Sequence, residues 1–224
     1  MNKIETDMLQ EWCVLKNDNT LKRAIEKSKL KNIKDYQKDQ LDVAFKYCKK
    51  FRTAIDIGAN YGIMSFNISK IFSKVHAFEI VPQINYCLQE NIKNLHMDNV
   101  TSYDCGLGDE QKTVSINFNN TSTFSTHVTN DETSNEQSVE VKKLDMFGFD
   151  DVDFIKIDTE GYEPFVIMGG LETIIKCKPV ILYERKGHEK RYGMEKNSVL
   201  DILSKYDYEE LENIGSKNAL IGVK

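Results

Sequence analysis

Apolar residues follow two patterns along the chain, one typical of buried strands and one typical of amphipathic helices. Nearly continuous apolar runs predict strands in the segments 53–57, 75–79, 100–104, 152–158 and 179–184. Apolar residues at helical spacing predict helices in the segments 62–72, 82–95, 163–175 (with a break at Gly169-Gly170) and 195–205. Such strand–helix alternation predicts an α/β fold with a mostly parallel, Rossmann-like sheet covered on both faces.

The two ends of the chain carry other patterns. Residues 3–30 and 41–48 place apolar side chains at helical spacing, so residues 1–50 are predicted to form an N-terminal helical arm. Residues 51–224 then form the main domain. Short alternating segments near its end predict an antiparallel C-terminal hairpin that closes the sheet.

The stretch from Asn119 to Gln137 is polar and has few apolar anchors. It lies between two alternating segments, Thr113–Phe118 and Ser138–Lys142, that predict strands. A stretch of this composition cannot bury much surface. We therefore expect a long loop that is mobile in the free protein and orders over a bound substrate.

Composition disfavours several classes of protein. The formal net charge of −5 over 224 residues provides no general attraction to nucleic acid or to an anionic membrane. The chain shows neither an apolar run of the ~18 residues that a membrane span needs nor the apolar core of a signal peptide. Its 5 cysteines are widely spaced without a CxxC pair, which argues against a disulfide framework and a thiolate metal site. These features predict a cytoplasmic protein.

The turn after the first buried strand carries the first chemical signal. The segment AIDIGANYG places Asp56 at the strand end and Gly58, Asn60 and Gly62 in the connection to the next helix. This spacing differs from the G-x-G-x-x-G of a dinucleotide site. Glycines let a ligand approach the backbone, and a helix start offers free N–H groups. Because Asp56 would repel a pyrophosphate but can accept hydrogen bonds from an ammonium group, the turn favours an amino-acid-like ligand.

Two further strand ends extend this signal. Glu79 follows the second strand about 20 positions beyond Asp56, where an acidic residue can bind both hydroxyls of a ribose. Asp104 and Cys105 follow the third strand, where the carboxylate can accept from an adenine amino group and the Cys105 N–H can donate to the ring. Together these residues predict S-adenosylmethionine as the cofactor, in preference to NAD.

A second chemical segment, FIKIDTEGYEP, ends its strand in Asp158 and continues with Glu160 and Gly161. Together with AIDIGANYG, HAFEIVP, CGLGDE and KPVILYE, in this order, it resembles the FkbM-type family of class I S-adenosylmethionine-dependent methyltransferases. The resemblance covers about residues 50–184. It implies a class I sheet and transfer of a methyl group, usually to a hydroxyl of a sugar or natural product.

Matched position by position, the resemblance assigns Asp56, Gly58 and Asn60 to the cofactor loop. It assigns Glu79 to the cofactor ribose. It also places Asp158 and Glu160 beside the methyl donor. The first 50 residues and the tail after residue 185 match nothing recognisable, so the resemblance does not identify the acceptor.

Methylation of a neutral hydroxyl requires a base, and the sequence offers Asp158, Glu160 and His188. His188 follows the fifth strand, and the pKa range of histidine suits proton transfer near neutral pH. The window 184–196 holds more basic than acidic residues, which fits either a solvated surface or an acceptor that carries phosphate or carboxylate. No metal ligands are assigned, although a divalent ion between Asp158, Glu160 and a substrate diol stays open.

Other functions also stay open beside O-methylation of a sugar, a nucleotide sugar or a related small molecule. An NAD-dependent oxidoreductase would share the sheet and Glu79, but its phosphate turn is absent. A nucleic-acid methyltransferase acting on amino groups would carry an Asn/Asp-Pro-Pro-aromatic motif where this chain has DTEG, and one acting on ribose would need catalytic lysines, whereas Lys156 is expected to point into its strand. A non-catalytic binding module would bind the donor without turnover. The sequence does not indicate an oligomeric state.

Overall fold

The computed structural model describes residues 4–118, 127–129, 136–215 and 217–223. The β-strands are β1 (Thr6–Leu9), β2 (Trp12–Leu15), β3 (Thr53–Ile57), β4 (Lys74–Phe78), β5 (Val100–Tyr103), β6 (Gly106–Leu107), β7 (Lys112–Asn117), β8 (His127–Thr129), β9 (Glu136–Lys142), β10 (Val152–Ile157), β11 (Val180–Glu184), β12 (Tyr208–Asn213) and β13 (Asn218–Val223). The α-helices are α1 (Thr20–Ser28), α2 (Lys38–Ala44), α3 (Ile63–Ser69), α4 (Pro82–Asn94), α5 (Glu163–Gly169), α6 (Leu171–Cys177) and α7 (Ser198–Leu203). Within the described ranges, no helix has the length and apolar character that a membrane crossing requires.

A seven-stranded sheet in the order β12-β13-β11-β10-β3-β4-β5 forms the centre of the molecule. Strands β3, β4, β5, β10 and β11 pair in parallel, and β13 pairs antiparallel with β11 and β12. The chain enters the sheet at β3, moves outward through β4 and β5, and returns to the other side of β3 with β10. The strand order therefore reverses between β3 and β10, the point beyond which open α/β sheets bind ligands. This topology confirms the predicted mostly parallel sheet with its C-terminal hairpin.

Both faces of the central strands are buried, which explains their continuous apolar sequences. Ile155 packs with Ile55 in the hydrophobic cluster on one face. Its neighbour Phe154 packs with Ala54 in the cluster on the other face. The sheet therefore holds β3 and β10 rigidly side by side, with their carboxyl ends at the same edge.

A smaller sheet in the order β6-β9-β7-β8 lies beside the main one. Strands β7 and β9 confirm the two predicted alternating segments. The loop prediction for Asn119–Gln137 is wrong for the residues of this segment that the structure describes. His127–Thr129 forms β8 and pairs with β7, and β9 begins at Glu136. The rest of that predicted lid, 119–126 and 130–135, lies outside the described residues.

The N-terminal arm differs from its prediction. The pattern predicts a helix over residues 3–30, but β1 and β2 form an antiparallel hairpin and only α1 is helical. All four residues of β2 are buried, and the side chain of Asn91 in α4 bonds the Cys13 N–H (2.6 Å) and the Cys13 carbonyl oxygen (3.0 Å). These tertiary contacts favour an extended strand and override the local helical spacing. The boundary between residues 50 and 51 stays a prediction.

Candidate active site

A cavity of about 180 Å³ lies beyond the carboxyl ends of β3, β4, β10 and β11. The turns that follow these strands form much of its wall, and the small sheet (for example Leu107 and Val141) and Tyr36 and Gln37 of the N-terminal arm contribute further wall residues. Its charged wall residues are the four carboxylates and two lysines Glu79, Asp158, Glu160, Glu184, Lys156 and Lys186. Carboxyl groups outnumber lysines in this wall, so the ionised ones can pair with positive charge on a ligand.

The turn after β3 is fastened to the end of β4. The backbone N–H groups of Gly58 and Ala59 both donate to the Phe78 carbonyl oxygen at 3.0 Å. Glu79 accepts from the Asn60 N–H with one carboxylate oxygen (2.8 Å) and from the Val81 N–H with the other (2.9 Å). Burial raises the pKa of Glu79 to about 7, although these hydrogen bonds oppose the shift. Each oxygen retains acceptor capacity for a ligand.

A buried polar group lies beneath this turn. Asp56 is fully buried and accepts a hydrogen bond of 2.6 Å from the Ser65 hydroxyl. The Lys156 ammonium lies 3.3 Å from Asp56 Oδ1 and 3.8 Å from Asp158 Oδ2, and it donates to the Gly58 carbonyl oxygen at 3.1 Å. Burial alone would lower the pKa of Lys156, but the charges of Asp56 and Asp158 outweigh it and raise the pKa. Lys156 is therefore a buried cation that joins the turn after β3 to the turn after β10.

The position of Lys156 corrects an expectation from the sequence. Its side chain lines the cavity instead of pointing into the strand. The reason is the register of β3 and β10, which places Lys156 opposite Asp56 and so directs the two charges toward each other.

The turn after β10, Asp158–Gly161, is held by the buried side chain of Glu163. One Glu163 oxygen accepts from the Thr159 N–H (2.8 Å), the Thr159 hydroxyl (3.1 Å) and the Gly161 N–H (3.2 Å). Burial raises the pKa of Glu163 to about 7. Glu160 adopts a left-handed φ of 55°, a conformation that costs energy for a non-glycine residue and persists where surrounding contacts enforce it.

Glu160 belongs to a charged cluster with Glu184, Lys186 and His188. His188 Nδ1 lies 2.7 Å from Glu160 Oε2 and 3.9 Å from Glu184 Oε2. Lys186 Nζ lies 3.5 Å from Glu160 Oε1 and in direct contact with Glu184 Oε1. Burial, with the charges of Asp158 and Glu160, raises the pKa of Glu184 to about 9. Burial would lower the pKa of Lys186, but the two glutamates raise it above its usual range.

The structure brings together most, but not all, of the residues that the sequence singles out. Those that line the cavity are Gly58, Asn60, Glu79, Cys105, Asp158 and Glu160. Among the others, Asp56 and Gly62 lie behind the wall, Asp104 is exposed outside it, and His188 contacts the wall carboxylates from behind. Asp56 therefore contacts Lys156 without reaching the cavity surface, and His188 contacts Glu160 without lining the cavity.

Sequence reasoning missed Tyr36, Lys156, Glu184 and Lys186 as wall residues. Glu184 ends the strand PVILYE and Lys186 follows it, so their position at the carboxyl end of a parallel strand is a usable signal. Tyr36 has no such signal, because it reaches the cavity from an arm whose position depends on tertiary packing. Burial and the charge of Asp158 raise the pKa of Tyr36, so its hydroxyl stays protonated.

A sheet with this topology, an acidic residue after the second parallel strand and a ligand cavity at the switch point define the class I methyltransferase fold. Solved structures share it. A Methylobacillus flagellatus FkbM methyltransferase has 18% identity to this chain and a TM-score of 0.56, and the match covers 77% of this chain and 44% of that protein. A Streptococcus mutans protein described as a methyltransferase and solved with SAH (S-adenosylhomocysteine) has 14% identity and a TM-score of 0.51 over 82% of this chain and 94% of its own. A Klebsiella pneumoniae protein described as an O-methyltransferase has 11% identity and a TM-score of 0.54, and the match covers 93% of this chain and 91% of that protein.

The sequence itself identifies the family within this class. The profile of the FkbM methyltransferase domain matches residues 56–210, and the chain belongs to this family, whose methyl donor is S-adenosylmethionine. No curated protein sequence matches the chain. The chain spans less than half the length of the M. flagellatus structure.

Proposed function

We propose that this protein is an S-adenosylmethionine-dependent methyltransferase that methylates a hydroxyl group of a small molecule such as a sugar or nucleotide sugar. One observation carries the proposal. A single cavity joins Gly58 and Glu79, the groups suited to the methyl donor, with Asp158 and Glu160, the groups suited to a hydroxyl acceptor. The two halves are in contact, since a Cβ atom added to Gly58 would lie 1.9 Å from the Asp158 carbonyl oxygen.

The donor half fits the parts of S-adenosylmethionine. Glu79 accepts the ribose hydroxyls with the capacity that its backbone hydrogen bonds leave free. Cys105 and Leu107 line the same cavity and provide an apolar wall for the adenine ring. The negative wall stabilises the sulfonium and ammonium groups.

The acceptor half contains the groups that take the hydroxyl proton. Lys156 and Lys186 are poor bases, because neighbouring carboxylates raise their pKa values and keep them charged. Asp158 or Glu160 is the base, and His188 orients Glu160 instead of touching the acceptor. As the base removes the proton, the acceptor oxygen attacks the methyl carbon and the carbon–sulfur bond breaks. The electron pair of the broken carbon–sulfur bond stays on sulfur, so the donor becomes neutral adenosylhomocysteine, the leaving group.

The test measures adenosylhomocysteine release with a panel of sugars and nucleotide sugars. Asp158→Asn and Glu160→Gln should reduce turnover by on the order of 100-fold or more, because they remove the groups that orient or deprotonate the acceptor. Adenosylhomocysteine affinity should change little, since both residues act on the acceptor. The exposed Asp150→Asn variant is the matched control.

Two outcomes would contradict the proposal. Full turnover in both carboxylate variants would remove this turn from the chemistry. Donor binding without turnover on any acceptor would instead indicate a binding module.

Ribose methylation is a second candidate, favoured by one observation. The sequence argument against it was the absence of a suitably placed lysine, yet Lys156 and Lys186 both line the cavity, and Lys156 lies 3.8 Å from Asp158. Nucleosides and RNA therefore belong in the acceptor panel. Turnover on these alone would replace the sugar acceptor by a ribose.

A further inference from the structure

Three potential ligand atoms converge behind the acceptor side of the cavity. Glu160, Glu184 and His188 each offer one such atom, and the three atoms lie within 4.8 Å of one another. His188 Nδ1 lies 2.7 Å from Glu160 Oε2 and 3.9 Å from Glu184 Oε2. The two glutamates line the cavity and the histidine closes the group from behind. A mixed set of imidazole and carboxylate ligands is suited to a divalent first-row metal ion.

The hydrogen-bond arrangement leaves these atoms available on one side. Lys186 contacts the Oε1 atoms of both glutamates, so both Oε2 atoms face His188. Glu184 Oε2 is buried in a side chain that is only 6% exposed, and it makes no hydrogen bond with any described residue. Lys186 compensates the Oε1 side of this carboxylate, whereas Oε2 stays buried without a hydrogen bond, a cost that a cation bound at Oε2 would remove.

The backbone holds the ligand-bearing segments in this arrangement. Gly161 has a φ of 109°, and a Cβ atom there would lie 2.6 Å from the His188 carbonyl carbon. The turn after β10 therefore packs directly against His188, with Glu160 in its left-handed conformation. Such enforced geometry is typical of preorganised ligand sites.

We propose that Glu160, Glu184 and His188 bind one divalent transition-metal ion, with Mn²⁺ and Zn²⁺ as the best-matched candidates. Three protein ligands leave a coordination position open toward the cavity, as in catalytic metal sites. The position accepts a hydroxyl oxygen of the acceptor and orients it toward the donor. This last role rests on the proposed function, whereas metal binding does not. The sequence analysis assigned no metal ligands but left a divalent ion at Asp158 and Glu160 open, and the proposed site differs from it by using Glu184 and His188 in place of Asp158.

The test measures ion binding directly, on the full chain after treatment with EDTA and desalting. Mn²⁺ is followed by electron paramagnetic resonance, and Zn²⁺ by competition with a chromophoric chelator. We expect one ion per chain, and at least about tenfold weaker binding in Glu184→Gln and His188→Ala, since each removes a ligand atom. Adenosylhomocysteine binding verifies that each variant is folded, and Glu160→Gln replaces Glu184→Gln if the latter does not fold.

Two matched variants control for binding at surface groups. Glu195→Gln and His96→Asn change exposed residues of the same types and should bind the ions as the wild type does. The proposal is overturned if neither ion binds the wild type below about 1 mM, or if the ligand variants bind as tightly as the controls. Metal binding without methyl transfer would contradict the proposed function alone, and methyl transfer without metal binding would contradict this inference alone.

Discussion

Two buried glutamates, Glu79 and Glu163, hold the turns that form the cavity. Each uses its carboxylate to bind backbone N–H groups of a turn, and each has a pKa raised to about 7 by burial. A buried carboxylate near its pKa at neutral pH links the structure of the turn to proton concentration. We therefore expect both residues to affect the shape of the site and its dependence on pH.

The donor affinity should depend on pH through Glu79. Ribose hydroxyls stabilise its ionised form, so binding must expel the proton below about pH 7, and adenosylhomocysteine affinity should rise between about pH 6 and 8. Nearby Lys156 favours ionisation and Asp56 opposes it. Because a charge-assisted hydrogen bond contributes roughly 1.5–3 kcal/mol, Glu79→Ala should weaken binding by about 10- to 150-fold and lose this pH dependence.

Calorimetry at several pH values measures both effects, with the exposed Glu26→Ala variant on α1 as control. Unchanged affinity in Glu79→Ala, or the same pH profile in both variants, would refute the assignment of Glu79 to the ribose.

Glu163 should make the free energy of unfolding depend on pH. Its pKa rises from 4.5 to about 7 on folding, so the folded protein holds the proton more tightly. The stability it contributes is therefore fully present below about pH 4.5 and is lost as the pH rises through about 7. Glu163→Gln keeps an acceptor oxygen for Thr159 and Gly161 and should lose less stability, relative to wild type, at pH 8 than at pH 5.

Glu163→Ala should instead destabilise the protein at both pH values, by about 2 kcal/mol or more, because it leaves buried N–H groups without an acceptor. Urea unfolding measures these differences, and the exposed Glu172→Gln serves as control. An equal effect of Glu163→Gln at pH 5 and pH 8 would mean that the buried carboxyl does not titrate as described.

At the scale of elements, the turns after β3 and β10 work as one unit because Gly58 packs on the Asp158 carbonyl group. Gly58→Ala would place its Cβ 1.9 Å from that oxygen at a φ of 75°. We expect it to cost several times the ~1–2 kcal/mol of a left-handed alanine and to abolish measurable donor binding, because neither backbone can yield without moving its strand.

Gly148→Ala measures the cost of a left-handed alanine separately from the cost of a steric clash. Gly148 has a φ of 64°, but nothing lies within 4 Å of an added Cβ atom. Thermal unfolding and adenosylhomocysteine titration of both variants provide the comparison. Similar losses in the two would show that the contact between the turns is unimportant.

The sequence predicted the elements best where local pattern and tertiary environment agree. Strands β3 and β10 are apolar on both faces and lie in the sheet centre, so a single pattern suffices. The pattern failed at β2, where Trp12 and Leu15 fit a helical stripe but are buried as a strand against α4. Contacts with α4, far away in sequence, decide this element, and no local pattern contains them.

The candidate site shows the same division. Gly58, Glu79 and Asp158 lie at strand ends, so their convergence follows from topology. The partnership of Lys156 with Asp56 depends on strand register, and the contact of His188 with Glu160 depends on the path of a loop. Neither is encoded in residue spacing.

At the scale of the whole molecule, Asn91 joins the N-terminal arm to the turn after β3, called the donor turn here because the proposed function assigns it to the methyl donor. Its buried side chain accepts a hydrogen bond from the Cys13 N–H and donates to the Cys13 carbonyl oxygen. It also donates to the Tyr61 carbonyl oxygen at 2.9 Å. Tyr61 in turn donates to Asp18 in the arm at 2.6 Å. Asn91→Ala should therefore reduce the free energy of unfolding by about 2–4 kcal/mol and weaken donor binding, because several buried groups lose their partners.

The control is Asn94→Ala, an exposed asparagine near the end of the same helix. Chemical unfolding and calorimetry distinguish the two variants. A stability loss in Asn91→Ala with unchanged donor affinity would show that the arm and the donor turn are energetically independent.

The pairing of Cys13 with Asn91 also has a consequence during synthesis. The two residues are 78 positions apart, and Trp12 beside them is fully buried once the fold is complete. At about 5–20 residues per second, a ribosome needs on the order of 4–16 s to deliver α4 after the β1–β2 hairpin. For those seconds Trp12 and the other apolar side chains of β2 have no native surface to cover them, which exposes the nascent chain to aggregation.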